Sequence, residues 1–511
     1  MKIKPLSILI TAILALPPGI RAGVADDVPE TPEEAQADEA AAAAADAQTR
    51  NEPEMDNSTA GVVVTRSSYG KYPFLNRKAN HIQMNGADWS DIARKLDEAE
   101  HKHGVVSVVH IGDSHLQPDG NTGQLRKIFQ TSYGNAGRGL MSPLRIAHTN
   151  APLDFHITTA APVTASKLMR RPWPTAMGFT GVGVRPSTST ARFSIDCKSP
   201  FECLRIYGSG SFRVSAVTTG GEPTEFSWGT ESYGGLLRLD APVMTLTLTV
   251  EGSNYTLFGF DARRQPASEN HGVLYHNIGN NGATFGMYSQ IPEFTHEISP
   301  LSPDLIVLSL GTNEAFGRFS ESALWSQIDR LVQSLRISNP QAQILLTTPS
   351  ECQRTVYSRV YTTRRRRGRR RRRSRRVRTY QINANVARVR DVILRYGREN
   401  NIPTYDFYAV AGGKGASAHW VSNKLMSGDR IHRTWTGYYL EGELLADAMN
   451  LALTKAGLRN PLIPEVEVSA KPEAEVEVKK VTPAKTSKVS KGTKKYKKSK
   501  KRKRRRRSRR R

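Results

Sequence analysis

The chain has 511 residues, enough for more than one folded unit with core to spare. Its formal net charge of +27 would mark a nucleic-acid binder if it were evenly spread, but 12 Arg in residues 364–378 and 20 Lys and Arg in residues 478–511 more than account for it. The remainder is slightly acidic, which excludes a fold that is basic throughout and assigns the positive charge to two segments.

Residues 1–25, MKIKPLSILITAILALPPGIRAGVA, read as a secretory signal. Lys2 and Lys4 precede an apolar run from Leu6 to Leu16, and Gly23-Val24-Ala25 offers a small-x-small cleavage site. The run is short for a bilayer span, and no later stretch reaches ~18 unbroken apolar residues. An exported protein, periplasmic or bound to the cell envelope, is the expectation, with an uncleaved anchor as the other reading. Residues 26–75 open acidic and Ala-rich, with too few large apolar side chains to offset chain entropy, and read as a disordered linker.

Helical and strand patterns alternate in residues 76–150. DWSDIARKLDEAEHKH sets Trp89, Ile92, Ala93 and Leu96 on one helical face, and GVVSVVHI follows as a short apolar strand. The HKH at its end reads as a solvated helix terminus. Residues 151–268 break the rhythm. ARFSIDC, CLRIYGSG, FRVSAVT, LLRLDA, VMTLTLTV and YTLFGFDA are short β-branched or aromatic runs separated by Gly, Pro, Ser and Thr, the pattern of an inserted all-β sandwich. Cys197 and Cys203 are near enough in sequence to close a small loop, or are two free buried thiols. Cys352 is left over, and no spacing suggests a zinc site.

Alternation resumes over residues 269–460. DLIVLSL, QILLTTP and IPTYDFY read as strands, and NANVARVRDVILRYG and GYYLEGELLADAMNLAL as helices. SESALWSQIDRLVQSLRI is a helix with Leu324, Ile328, Leu331, Val332 and Leu335 on its apolar face. The fold class expected is therefore α/β: a parallel sheet with helices on both faces, interrupted by the β-rich unit. The Arg run of residues 364–378 reads as a solvated, self-repelling loop, able to hold an anionic cell-envelope polymer or membrane surface. Residues 461–511 read as a disordered basic tail. The Arg run contains no aromatic residue and the tail only Tyr496, so base stacking is not indicated and no physiological nucleic-acid partner is expected.

Four short blocks fall where such a fold binds ligands, outside the carboxyl ends of its strands. Ser114 follows the GVVSVVHI strand in GDSH, HNIGNNGATF carries Gly279 and Gly282, LSLGTNEAF carries Asn313, and SGDRIHRT carries Asp429 and His432. A serine hydroxyl needs a neighbouring base to act as nucleophile, and His432 can serve. The base needs a carboxylate to fix its tautomer, and Asp429 lies three residues upstream. An oxyanion needs donors set in advance, for which the Ser114 and Gly282 amides and the Asn313 side chain are candidates. Ser114 is also expected to open a helix, with Pro118 in its first turn. Singly, each block has a plainer reading as a cap, a turn glycine, an Asx turn or a surface pair.

Taken together and in this order, the blocks resemble the SGNH (GDSL-type) hydrolases: Gly112-Asp113-Ser114, then Gly282, then Gly311-Thr312-Asn313-Glu314, then Asp429-x-x-His432. The resemblance implies a flavodoxin-like parallel sheet, Ser114 as nucleophile, Gly282 and Asn313 as oxyanion donors and the Asp429/His432 pair. His115 stands where the family's name-giving pattern has Leu. The β-rich insertion between the first and second blocks, with YGNAGRGL and NNGATF, is similar to bacterial peptidoglycan O-acetylesterases. That likeness implies an exported carbohydrate O-acetylesterase that needs no cofactor and no metal, acting on an O-acetylated glycan such as peptidoglycan. An O-acetyltransferase using the same site and a non-catalytic wall-binding protein are the alternatives. Trp420 either lines the substrate pocket or packs beneath the catalytic loop.

Overall fold

The computed structural model describes residues 66–217, 224–228, 235–265, 270–366 and 369–462. The expected signal, the linker as far as residue 65 and the basic tail beyond Leu462 lie outside the described residues. The last stretch of the expected linker is folded. Arg66–Lys71 is a short 3₁₀ helix, and Tyr69 and Leu75 are buried against the core, because the KYPFL segment brings the large apolar residues that the acidic stretch lacks. Leu462, expected in the tail, is buried too.

The chain begins with β1 (Ile82–Gln83), α1 (Ser90–Glu100), β2 (Val105–Gly112), α2 (Gly120–Tyr133) and β3 (Gly139–Met141). Next come β4 (Phe155–Thr159), β5 (Val163–Lys167), β6 (Val182–Pro186), β7 (Thr190–Ser209), β8 (Phe212–Val217), β9 (Thr224–Trp228), β10 (Gly235–Gly252) and β11 (Thr256–Arg263). They lead into β12 (Gly272–Gly279), β13 (Leu305–Ser309), α3 (Glu321–Ser338), β14 (Gln343–Thr347), β15 (Gln353–Arg366) and β16 (Arg369–Ile382). The last elements are α4 (Ala384–Glu399), β17 (Thr404–Tyr405), α5 (Ala416–Ser422) and α6 (Trp435–Lys455).

One sheet has the order β1-β17-β14-β13-β2-β12. All its neighbours are parallel except the edge strand β1, which runs antiparallel to β17. From β2 the chain winds to β12 on one side, then returns to β13, β14 and β17 on the other. This is the flavodoxin-like order, and the crevice at its reversal point opens between the carboxyl ends of β2 and β13. Those ends are level, since Gly112 is in register with Gly279 on one side and Ser309 on the other. Both faces are covered, as unbroken apolar strands require. Val106 and Val108 pack with α1, α2 and α6, whereas Val109 and Ile111 pack with α3 and α4. The helical faces anticipated from spacing are the ones that pack: Trp89, Ile92 and Leu96 on α1, and Leu324, Ile328, Leu331 and Leu335 on α3, are all buried.

The β-rich unit is antiparallel, with nine strands hydrogen-bonded in one continuous sheet around a core of its own. It begins earlier than residue 151, because β3 pairs with β11. Several expected short strands are halves of longer ones. ARFSIDC and CLRIYGSG are both β7, and LLRLDA and VMTLTLTV are both β10. Pro200 and Pro242 suggest breaks, but they sit where the β7–β10 pairing shifts register, and such irregularities tolerate a missing N–H. Cys197 and Cys203 both lie on β7 as buried thiols, with no disulfide between them. Six residues along an extended strand span about 20 Å, beyond disulfide reach.

The unit packs on the face of the first sheet that carries α3 and α4, where Phe179, Tyr207 and Phe258 join that core. Glu297 is buried there and accepts the Phe179 N–H at 2.8 Å. Burial pushes its carboxyl up to about 8. The folded state therefore holds a proton that the unfolded chain releases near pH 4.5, so stability is lost as pH rises between the two values. Glu297→Gln keeps the acceptor and removes the titration. Its melting temperature, relative to wild type, is expected to climb from pH 5 and to level above pH 8, with a gain in stability of about 3–4 kcal/mol.

Candidate active site

The turn after β2 is built on Gly112. A Cβ there would lie 2.6 Å from the Leu116 side chain and 2.8 Å from the Ser309 carbonyl oxygen, so only glycine lets the chain fold back over the strand ends. The Leu116 and Gln117 N–H groups donate to the Asp113 carbonyl, and the His115 N–H donates to Asp113 Oδ1 at 2.9 Å. Ser114 does not open a helix. α2 starts only at Gly120, after Pro118 and an Asp119 with φ of +64°. The tight turn, rather than a helix N-terminus, holds the Ser114 side chain half-exposed at the carboxyl end of the sheet.

The loop before α6 faces this turn. His432 Nε2 lies 2.8 Å from Ser114 Oγ, and His432 Nδ1 lies 2.7 Å from Asp429 Oδ2. These partners select the tautomer with the proton on Nδ1, leaving Nε2 to accept from the serine hydroxyl. Asp429 Oδ1 is held by the Ile431 N–H at 2.9 Å, the His432 N–H at 3.1 Å and the Ser427 hydroxyl. Burial alone would raise the Asp429 carboxyl, but the imidazole and these donors outweigh it and keep the group well below the usual carboxylate range. A permanently ionised carboxylate, an oriented imidazole and a half-exposed hydroxyl thus stand in one hydrogen-bonded line.

The other candidate oxyanion donors follow the strands on either side of β2, Gly282 after β12 and Asn313 after β13. Gly282 has φ of +71°, a left-handed backbone that selects glycine, and the end of the Met169 side chain lies against it. Among the described residues, neither the Ser114 nor the Gly282 N–H donates to another backbone carbonyl. Asn313 Nδ2 donates to the Ala283 carbonyl at 3.0 Å and faces Asp113 Oδ2 at 3.5 Å, which fixes the amide plane. Gly279 plays a packing role, since a Cβ would lie 2.3 Å from the Gln117 nitrogen.

Other residues shape the site, and of these Gln117 and Arg433 carry no motif that the sequence displays. Gln117 accepts the Asn281 N–H at 2.6 Å and donates to Thr149 Oγ1 at 2.9 Å, tying the serine turn to the second block and to the chain entering the β-rich unit. His115 lies 5.3 Å from the His432 ring, centroid to centroid. Burial, with His432 and Arg433 nearby, pushes its imidazole well below the ordinary range and keeps it neutral. Arg433 is buried, pairs with Glu441 of α6 at 3.4 Å and donates to Ser350. Trp420 is not a pocket residue. It is 1% exposed, donates to the Ala411 carbonyl at 2.9 Å and lies under the Arg433 guanidinium at 4.3 Å, so it supports the catalytic loop from beneath.

Residues 249–440 match the model of the GDSL-like lipase/acylhydrolase family. The chain carries a GDSL-type acylhydrolase domain. The domain is that of a carboxylic ester hydrolase. The matched span holds Gly282, Asn313, Asp429 and His432, and the sheet returns Ser114 to them because β2 lies between β12 and β13. Among solved structures, a peptidoglycan O-acetylesterase aligns at 18% identity over 73% of this chain and 99% of its own, with a TM-score of 0.57. A lipase/acylhydrolase from Enterococcus faecalis aligns at 17% identity over 36% of this chain and 77% of its own, with a TM-score of 0.24. A family two carbohydrate esterase from Clostridium thermocellum aligns at 14% identity over 57% of this chain and 99% of its own, with a TM-score of 0.25. At 18% identity the likeness to the peptidoglycan O-acetylesterase is one of fold. No curated protein matches the chain in sequence.

Proposed function

We propose that the protein is an exported serine esterase that removes O-acetyl groups from a cell-wall polysaccharide, with peptidoglycan as the substrate. The observation that carries this reading is the Ser114–His432–Asp429 line, set at the sheet's reversal point beside three donors. The fold shared with a peptidoglycan O-acetylesterase, β-rich unit included, supports the choice of polymer. The apolar run behind Lys2 and Lys4 supports export.

In this mechanism Ser114 Oγ attacks the acetyl carbonyl carbon while His432 Nε2 takes the hydroxyl proton. Asp429 Oδ2, bonded to Nδ1–H, stabilises the imidazolium that forms. The Ser114 and Gly282 N–H groups and the Asn313 amide receive the negative charge as the carbonyl oxygen becomes an oxyanion. On collapse the sugar oxygen leaves with the proton from Nε2, and the acetyl group stays on Ser114. A water molecule then gives its proton to Nε2 and attacks the acyl-enzyme, which releases acetate and restores the serine.

The test compares purified protein on O-acetylated peptidoglycan, acetylated xylan and p-nitrophenyl esters of increasing acyl length. Acetate release from peptidoglycan is expected at the highest kcat/KM. A preference for long-chain esters, or for xylan over peptidoglycan, refutes the substrate assignment.

A further inference from the structure

The Arg-rich segment is not the loop its composition suggests. Residues 353–382 hold 14 Arg and no Asp, Glu or Lys, yet they form two antiparallel strands of 14 residues each, β15 and β16. The flanks explain why. TVYSRVY and RVRTYQI are β-branched and aromatic, and they zip the ribbon from its root. Tyr357, Arg359 and Tyr361 share one face with their register partners Arg378, Arg376 and Ser374. The rings of Tyr357 and Tyr361 are about half exposed, and the Arg376 guanidinium lies 3.9 Å from the centre of the Tyr357 ring.

Such a ribbon is electrostatically incomplete. Arg359 is in register with Arg376, and further out Arg364, Arg365 and Arg366 are in register with Arg371, Arg370 and Arg369. Like charges directly opposite one another oppose pairing, and two-stranded ribbons are marginal in water. An external polyanion supplies the missing countercharge, and guanidinium groups pair with carboxylates bidentately.

The ribbon's root is joined to the catalytic loop. The Gln353 N–H donates to the Arg430 carbonyl at 3.1 Å, Arg430 Nη1 donates to Gln353 Oε1 at 2.8 Å, and the Tyr380 hydroxyl donates to the Gly428 carbonyl at 3.0 Å. The Arg430 guanidinium also covers the Tyr380 ring at 4.1 Å. Gly428 and Arg430 flank Asp429, so a polymer lying along the ribbon reaches the loop that carries His432. We propose that the β15/β16 ribbon is the docking site for a carboxylated glycan strand, held so that its esters are presented to Ser114. The reading rests on the esterase assignment above. Exposed tyrosine rings suit the apolar faces of sugars between carboxylates. The tip sequence RRRRGRRRRR offers no apolar residue to enter a bilayer.

The experiment compares the full chain with the full chain carrying Arg359→Gln, Arg376→Gln and Arg378→Gln. Turnover of p-nitrophenyl acetate is expected to be unchanged, which also establishes folding. On O-acetylated peptidoglycan the variant's KM is expected to rise at least tenfold with kcat retained. On the same material with its carboxyl groups amidated, the two proteins are expected to be equal. An unchanged KM on the anionic polymer, or an equal loss on the amidated one, overturns the proposal. Direct binding separates this result from failure of the esterase reading. The variant is expected to lose at least tenfold in affinity for labelled polygalacturonate. A loss confined to phosphatidylglycerol vesicles or to single-stranded DNA overturns the glycan assignment.

Discussion

Ser114→Ala is expected to lower hydrolysis of p-nitrophenyl acetate by about 10⁴- to 10⁶-fold while leaving the far-ultraviolet circular dichroism and the melting temperature near wild type. The substitution removes one oxygen whose hydrogen bond is to His432 Nε2. The turn itself is held by other atoms: the Asp113 carbonyl and carboxylate, Gly112, and Gln117. Loss of the hydroxyl therefore removes the covalent route without a packing defect to confuse the result. A residue of activity above the uncatalysed rate is expected, because the amides of residues 114 and 282 and the Asn313 side chain still polarise a bound carbonyl. Activity within tenfold of wild type would remove Ser114 from the chemistry, and the 2.8 Å contact would then be structural only.

The fold and the site were legible to different depths, for physical reasons. Helices such as α3 announce themselves because one buried stripe at a 3.6-residue period fixes both element and face. The parallel strands are equally plain, since burial on both faces leaves unbroken Val, Ile and Leu runs such as LIVLS. The Ser114, Asn313 and Asp429/His432 blocks stand out because each interrupts such a pattern with residues that do not serve packing. Other features depend on pairing, which composition does not encode. Pro200 and Pro242 looked like chain breaks and instead mark a shared irregularity between two long strands. The Arg run looked like a loop because its charge obscures the alternation of its flanks. Trp420 stayed ambiguous from sequence, since an indole both lines pockets and fills cores, and only the Arg433 guanidinium over its ring places it beneath the loop. The start of α2 was misread because Pro118 suits a first turn, while the left-handed backbone at Asp119 delays the helix.

Asp119 accounts for that delay and for the largest expected effect on stability. Its carboxylate accepts from Arg126 Nη2 at 2.9 Å, from Arg138 Nη2, from Thr122 Oγ1 and from Asn277 Nδ2 at 3.0 Å. The side chains of Asp119 and Arg138 are 3% and 2% exposed. Arg138 continues to Asp154 at 3.0 Å and to the Leu140 carbonyl, at the entrance to the β-rich unit, and Arg126 Nε donates to the Tyr275 carbonyl of β12 at 3.0 Å. Asp119 and Asp154 thus share two buried guanidinium groups where the two sheets meet. Asp119→Asn keeps shape and tolerance of the left-handed backbone, but it leaves those cations short of charge and adds donors that face donors. The expected cost is about 3–5 kcal/mol, a fall in melting temperature of about 5–10 °C that added salt does little to change. Arg94→Gln is the contrast. It removes exposed ion pairs to Asp91 and Glu98 on α1 and should leave the melting temperature almost unchanged. The Asp119 N–H and Asn277 Nδ2 both hold the Leu116 carbonyl, at 2.8 Å and 2.7 Å, so the same cluster braces the serine turn. Turnover by Asp119→Asn should accordingly drop well below its melting transition. A variant that keeps wild-type turnover and melts within about 2 °C of wild type would show that the two arginines find other compensation, and that the turn stands on Gly112 and Gln117 alone.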